Sequence, residues 1–271
     1  MTAIADPGTP EPDSELSRPD IESLAEQHRS LLDKLIIASI AYKGSQGKTT
    51  LIYELMALLD GILIDFEHDD GSASLKFGYD PNARLTAPLV DALRNGRPPA
   101  PLKGGPQRPD LVPGNKALAS TVIPAERVTE CLIEWQKHWG RLTGVDAHPG
   151  GTQMTRGIAT AANVIVAPVI FGKLELDALN GMLDELDGYP VIVVPNRVKS
   201  IKDTTYRRFL QIMEAHPYAV VSSPVREARE LPERSRHSAL ATQNPALKSY
   251  ADFDYDIRAL AEVVIRYAAG R

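Results

Sequence analysis

The chain has 271 residues, 43% of them hydrophobic and 24% charged, with a formal net charge of -5 at pH 7. That length and apolar content suffice for one large α/β domain with its own core, and the acidic balance excludes a whole-chain nucleic-acid signature. A single cysteine, Cys131, excludes an intrachain disulfide framework and fits a reducing cytosol, and no run of about 18 apolar residues offers a transmembrane helix.

Residues 1–19 carry Pro7, Pro10, Pro12 and Pro19 among several acids, which predicts a disordered tail and is unlike a signal peptide. Residues 20–34 read as an amphipathic helix. Ile21, Leu24, His28, Leu31, Leu32 and Leu35 share one face, to pack on the domain or on a partner, and Asp20 is placed to cap the first turn. From residue 35 to 271 strand and helix patterns alternate. Residues 35–41 are a continuous apolar run of buried-strand length. Lys43-Gly44-Ser45-Gln46-Gly47-Lys48-Thr49-Thr50 follows, and Leu51, Leu55 and Leu58 then open a helical stripe. Strand, small-residue loop, Lys-Thr, helix is the layout of a phosphate-binding loop. Gly44 and Gly47 permit a tight turn in which successive N–H groups converge on an anion, and the positive end of the helix adds to the attraction. In that layout Lys48 reaches the β- and γ-phosphates of a nucleotide and the Thr49 hydroxyl ligates Mg²⁺.

A second strand over 61–65 runs into Asp65-Phe66-Glu67-His68-Asp69-Asp70. Acids at the C-terminal end of a parallel strand face the ligand crevice, and phosphoryl transfer uses carboxylates to hold Mg²⁺ and orient a water. The competing reading is an acidic loop that only caps the next helix. Residues 96–109, rich in Pro, Gly and Arg, predict a mobile surface loop. A helix over 125–139 puts Val128, Cys131, Leu132 and Trp135 on one stripe, with Cys131 as a small core residue. The strand at 142–146 is weakly apolar and leads into Asp146-Ala147-His148-Pro149-Gly150-Gly151. A strand at 163–169, a helix at 173–187, a strand at 190–195 ending before Asn196, a helix over 203–216 and a short strand at 219–221 follow. Ile257, Leu260, Ala261, Val264, Ile265 and Ala268 then mark a C-terminal helix. The alternation predicts a doubly wound, mostly parallel sheet with helices on both faces. Segments 43–50, 65–67, 146–151 and residue 196 all fall at strand C-terminal ends, where such sheets bind ligands.

The loop resembles the deviant Walker A motif, K-G-G-x-G-K-[ST]-[ST], of the ParA/MinD family of P-loop ATPases. Tyr42 stands at the first glycine of the general P-loop pattern, Lys43 at the signature lysine and Ser45 at the second glycine. Residues 65–74 are similar to the family's D-x-D segment, with Glu67 for the second aspartate. Residues 110–118 are similar to its L-I-P-S-N-x-x-L segment, 146–150 to D-x-P-P-G or D-x-x-P, and 223–226 to a late I-P-x-R segment. The resemblance spans residues 35–269. It implies a P-loop ATPase domain that takes ATP and Mg²⁺, closes as an ATP-bound sandwich homodimer and hydrolyses slowly. It further implies Gly44, Ser45, Gln46, Gly47, Lys48, Thr49 and Thr50 on the phosphates, Gly150 sensing the γ-phosphate, and Asn196 and Pro224 beside the base. Thr49, Asp65 and Asp146 would surround the metal. The implied catalytic set is Lys43, Lys48, Asp65 and Glu67: Lys43 crosses to the partner's nucleotide, and Glu67 positions the attacking water, a role for which Asp69 competes. His148 reads either as a switch residue or as a solvated loop histidine.

Between Asn196 and Leu240 nine cations (Arg197, Lys199, Lys202, Arg207, Arg208, Arg226, Arg229, Arg234 and Arg236) stand against five acids. This is either an ordinary solvated face or, as the resemblance implies, a surface that binds DNA through its phosphates without sequence preference. The resemblance also implies a cytoplasmic, nucleoid-associated partition protein for a plasmid or chromosome, stimulated by a ParB-like partner and independent of membranes. The other readings are a MinD-like or related ATPase that positions membrane or protein cargo, and a small-molecule P-loop kinase, which needs neither Lys43 nor a dimer.

Overall fold

The computed structural model describes residues 18–68, 73–80, 87–199, 203–228, 237–244 and 246–271. Four short strands form its centre: β1 (Ile36–Ser39), β2 (Ile62–Asp65), β4 (Thr143–Asp146) and β5 (Val164–Val169), each buried at every position. Burial on both faces is the condition of a parallel sheet covered by helices. With β3 (Asp110–Val112), β6 (Val191–Val198), β7 (Val220–Val221) and β8 (Val225–Arg226) they make one sheet in the order β3-β2-β4-β1-β5-β6-β7, with β8 beside β6. All these pairings are parallel.

Alternate residues of each strand serve the two faces. Ile37, Leu63 and Val166 pack with α1 (Ile21–Gln27), α3 (Lys48–Leu58), α4 (Ala73–Phe77) and α10 (Ala251–Ala269). Ile36, Ile64 and Ile165 pack on the other side with α5 (Pro88–Asn95), α6 (Ala125–Trp139), α7 (Gln153–Ala161), α8 (Lys173–Glu185) and α9 (Asp203–Ala215). α2 (Arg29–Leu32) leads into β1. Among the described residues no helix is long and apolar enough to cross a membrane.

The weakly apolar run at 142–146 is an interior strand of the sheet, between β1 and β2. Its composition has a local cause. Gly144 lies under α3, where a Cβ would stand 2.4 Å from Met56 Cγ, so a branched residue does not fit. Two helices carry no reading above: α5, opened by Pro88, and α7, where the Thr152 hydroxyl caps by accepting from Thr155 N–H at 3.1 Å. Residues 96–109 are pinned rather than loose. Leu102 bridges Leu111, and Asp110 accepts from Gly104 N–H at 3.0 Å and from Lys103 Nζ at 2.8 Å.

At the N-terminus Asp20 accepts from Ser23 N–H at 3.0 Å and caps α1. α1 is welded to α10 by Arg258, 1% exposed, which reaches Glu22 at 2.7 and 2.9 Å and Asp254 at 3.3 Å. Arg18 pairs with Asp254 at 2.8 Å. Arg18 and Pro19 therefore belong to the folded domain, which corrects the C-terminal limit of the expected tail; residues 1–17 lie outside the described residues.

Candidate functional site: a phosphate cradle beside a bare buried carboxylate

β1 delivers the chain into the loop at 41–47, at the C-terminal edge of the sheet. Ser45 takes φ +63°, a left-handed conformation that costs a non-glycine residue roughly 1–2 kcal/mol. Gly47, φ +98°, is the N-cap of α3, and a Cβ there would lie 2.2 Å from Asn196 Nδ2. That amide donates to the Gln46 carbonyl at 2.7 Å, while Gln46 Oε1 accepts from Ile170 N–H at 2.8 Å. Asn196 was expected just past its strand; β6 in fact runs through it, and its amide nitrogen is engaged on the loop backbone. Pro224, exposed, immediately precedes Val225, the register partner of Asn196, so these two expected base-side residues share one strand end.

The two lysines part company. Lys48 is 5% exposed, with Nζ 4.0 Å from Glu67 Oε2. Lys43 turns back onto α8, with Nζ 2.5 Å from Glu175 Oε1, and its contact holds the Glu175 carboxyl below the usual range. Tyr42 also leans on α8, donating to Glu185 Oε2 at 2.7 Å; burial, then that carboxylate, push its ionisation upward.

The acids differ in how they are satisfied. Asp65 is fully buried: Oδ1 accepts from Glu67 N–H at 3.0 Å, and Oδ2 from Ser74 N–H at 2.7 Å and the Ser74 hydroxyl at 2.5 Å. These are the contacts of a residue that caps the next helix, so the capping alternative describes what Asp65 does to α4. Asp146, its register partner on β4, is also fully buried, yet neither oxygen meets a donor in hydrogen-bonding geometry among the described residues. Burial, then the Asp65 charge, drive its pKa well above the usual carboxylate range, against the opposing influence of Lys48 and the Thr49 hydroxyl. A buried carboxylate without donors is costly. A hard cation with its water shell, beside Asp146 and the Thr49 hydroxyl, removes that cost, and an all-oxygen donor set suits Mg²⁺. The residues present therefore fit the metal that the resemblance implies.

Glu67 has a partner the chain order does not suggest. Its Oε1 lies 2.6 Å from His148 Nδ1, 81 residues away, and the His148 ring stacks on His68 at 3.9 Å and 21°. His148 is thus bound to Glu67 rather than simply solvated. Donor atoms of Glu67, His68 and His148 come within 4.8 Å of one another, but rings stacked face to face cannot both aim an in-plane lone pair at one ion. Gly150, φ +96°, follows, its N–H 3.4 Å from the Ala41 carbonyl. Asp69, the competitor of Glu67, lies outside the described residues.

The expected basic face is narrower than its charge count. Arg226 is a strut, bound to Asp256 at 2.8 and 2.9 Å and to Asp252 at 2.9 Å, which ties β8 to α10. That engagement removes it from the set of free phosphate contacts. Arg208 pairs with Asp177, and Lys199 with Glu227 at 2.6 Å. Arg197 and Arg207 are exposed and have no carboxylate partner among the described residues. Lys202, Arg229, Arg234 and Arg236 lie outside them.

No protein-family model matches the chain, and no curated protein matches its sequence. Solved structures do match in fold. The Cyanothece McdA(D38A)–ATP complex superposes with a TM-score of 0.68 at 18% identity, covering 88% of this chain and 97% of that one. Cobyrinic acid a,c-diamide synthase from Mycobacterium smegmatis, with an ATP analogue and magnesium, gives 0.64 at 16%, covering 88% and 97%. The pNOB8 ParA bound to nonspecific DNA gives 0.60 at 16%, covering 87% and 99%. The chain has the α/β fold of these ParA- and MinD-type structures, as the strand–helix alternation and the loop at 43–50 led one to expect. That fold carries a cell division protein, a plasmid partition protein and a small-molecule synthase alike, so function has to be argued from the site.

Proposed function

We propose that the protein is a ParA-type ATPase that uses an ATP-bound dimer to hold a cargo in place on DNA. The observation that carries this reading is Asp146, a bare buried carboxylate at the foot of a phosphate cradle furnished with two lysines. Bound ATP lies with its phosphates along residues 44–50, Lys48 on the β- and γ-oxygens, and Asn196 and Pro224 toward the base. Thr49 and Asp146, with Asp65 behind them, would hold Mg²⁺, which would supply positive charge against the phosphates. Glu67 accepts a hydrogen bond from a water in line with the γ-phosphorus. The water oxygen bonds to phosphorus as the bond to the β,γ-bridging oxygen breaks, ADP departs with that electron pair, and the displaced proton passes to phosphate and solvent. Lys43 leaves Glu175 and reaches the second copy's nucleotide, where its charge offsets that developing on the transferred group.

Arg197 and Arg207 are the described cations best placed to meet DNA phosphates, with Lys202, Arg229, Arg234 and Arg236 as further contributors from the same region. A ParB-like protein would then accelerate hydrolysis and release the dimer, in a cytoplasmic, nucleoid-bound cycle. Non-specific duplex binding measured with ATP, with ADP and without nucleotide tests the reading. Binding confined to the ATP state is expected, and equal binding in all three overturns it. The small-molecule kinase is separated by Lys43→Ala, which leaves a monomeric kinase untouched.

A further inference from the structure

Glutamate is a loose way to aim a water. Its three side-chain torsions leave the carboxylate free to wander, at roughly 1.5–2 kcal/mol of rotamer entropy, whereas a catalytic group must be held within about 0.5 Å. Glu67 is nonetheless held at both oxygens: Oε1 by His148 Nδ1 at 2.6 Å and by the His68 backbone N–H at 3.2 Å, and Oε2 by the more distant Lys48 Nζ at 4.0 Å. The carboxylate accepts, so Nδ1 carries the proton in this arrangement. His148 is itself fixed twice. Its ring stacks on His68, and its carbonyl accepts from the Thr155 hydroxyl at 3.4 Å, in the first turn of α7.

We propose that His148 is a positioning residue for hydrolysis: it holds Glu67 in the orientation that aligns the attacking water. The proposal rests on the ATPase reading above and adds a device to it. His148 lies between Asp146 and Gly150, the segment that borders the metal and the γ-phosphate. Glu67 belongs to the loop after β2. The Nδ1–Oε1 bond, with the His68–His148 stack beside it, joins these two loops, so the water-aligning carboxylate is correctly aimed only when the segment after β4 is seated. Hydrolysis is thereby made conditional on a complete site, and a misaligned reactant can cost on the order of a hundredfold in rate.

The test uses the full chain and single-turnover hydrolysis at saturating Mg·ATP, with the affinity for a non-hydrolysable analogue measured alongside. His148→Ala is expected to slow hydrolysis by about 10- to 100-fold while analogue affinity stays within about threefold. His148→Asn places an amide N–H where Nδ1 stands, and is expected to recover most of the lost rate. Glu67→Gln is expected to be as slow as His148→Ala, and the double variant no slower than either, because the two residues act as a unit. Wild-type rates in His148→Ala, equal impairment of the Ala and Asn variants, or loss of analogue binding in His148→Ala would each overturn the positioning role. Absence of hydrolysis by the wild-type protein in the same assay would instead remove the ATPase reading beneath it.

Discussion

Replacing Asp146 by asparagine should make the nucleotide-free protein more stable while disabling it. The wild-type carboxylate is fully buried, makes no hydrogen bond of good geometry, and shares its surroundings with Asp65 and Glu67, with Lys48 and then the Thr49 hydroxyl as the opposing influences. Burying an incompletely compensated ion costs several kcal/mol, and Lys48 returns part of it. The neutral isostere should therefore gain about 2–4 kcal/mol near pH 8. The sign of the pH dependence follows from the direction of the shift. The folded-state pKa lies above the unfolded one, so the native protein binds more protons, and wild-type stability falls as pH rises through and above the ordinary carboxylate range. The asparagine variant lacks that slope, and its advantage should shrink at pH 5. Guanidinium unfolding of both proteins without nucleotide, at pH 5 and pH 8, reads this directly. A variant no more stable than wild type at pH 8, or an advantage that is the same at both pH values, would refute the electrostatic argument. The same variant should bind ATP no more tightly with Mg²⁺ than without it.

Gly47→Ala should cost about 2–4 kcal/mol and weaken nucleotide binding. The positive φ accounts for roughly half, and the rest comes from displacing the Asn196 amide from Gln46; chemical denaturation and analogue titration check both effects. Arg258→Ala should lower unfolding free energy by about 1–3 kcal/mol, because it leaves Asp254 to Arg18 alone and frees the Ala241 carbonyl while the exposed Glu22 turns to solvent, without changing ATP affinity in an equilibrium titration. Glu175→Gln should leave stability within about 1 kcal/mol, since its pair with Lys43 is partly exposed, and should lower the analogue concentration at which dimers appear in sedimentation.

The parts of this molecule that were legible in its sequence are those built from neighbours along the chain. The 43–50 loop follows from a strand, two glycines and a Lys-Thr pair, and the parallel sheet from the strand–helix alternation. β4 was harder to read, because Gly144 is dictated by Met56 on α3, a packing constraint with no local signature. The contacts that define the site are tertiary. Gln46 to Asn196, Lys43 to Glu175 and Glu67 to His148 join segments 150, 132 and 81 residues apart, and no periodicity could pair them. Arg226 shows the reverse hazard: counted as a surface charge, it is bound by Asp256, which only the packing of α10 against β8 brings near.

Light-scattering mass with Mg²⁺ and a non-hydrolysable ATP analogue is the most direct test of a nucleotide-closed pair, run on wild type and on Lys43→Ala. Twice the chain mass with the analogue, a single chain mass with ADP, and a single mass for Lys43→Ala despite retained analogue binding are expected. A wild-type protein that stays single with saturating analogue bound would contradict the account.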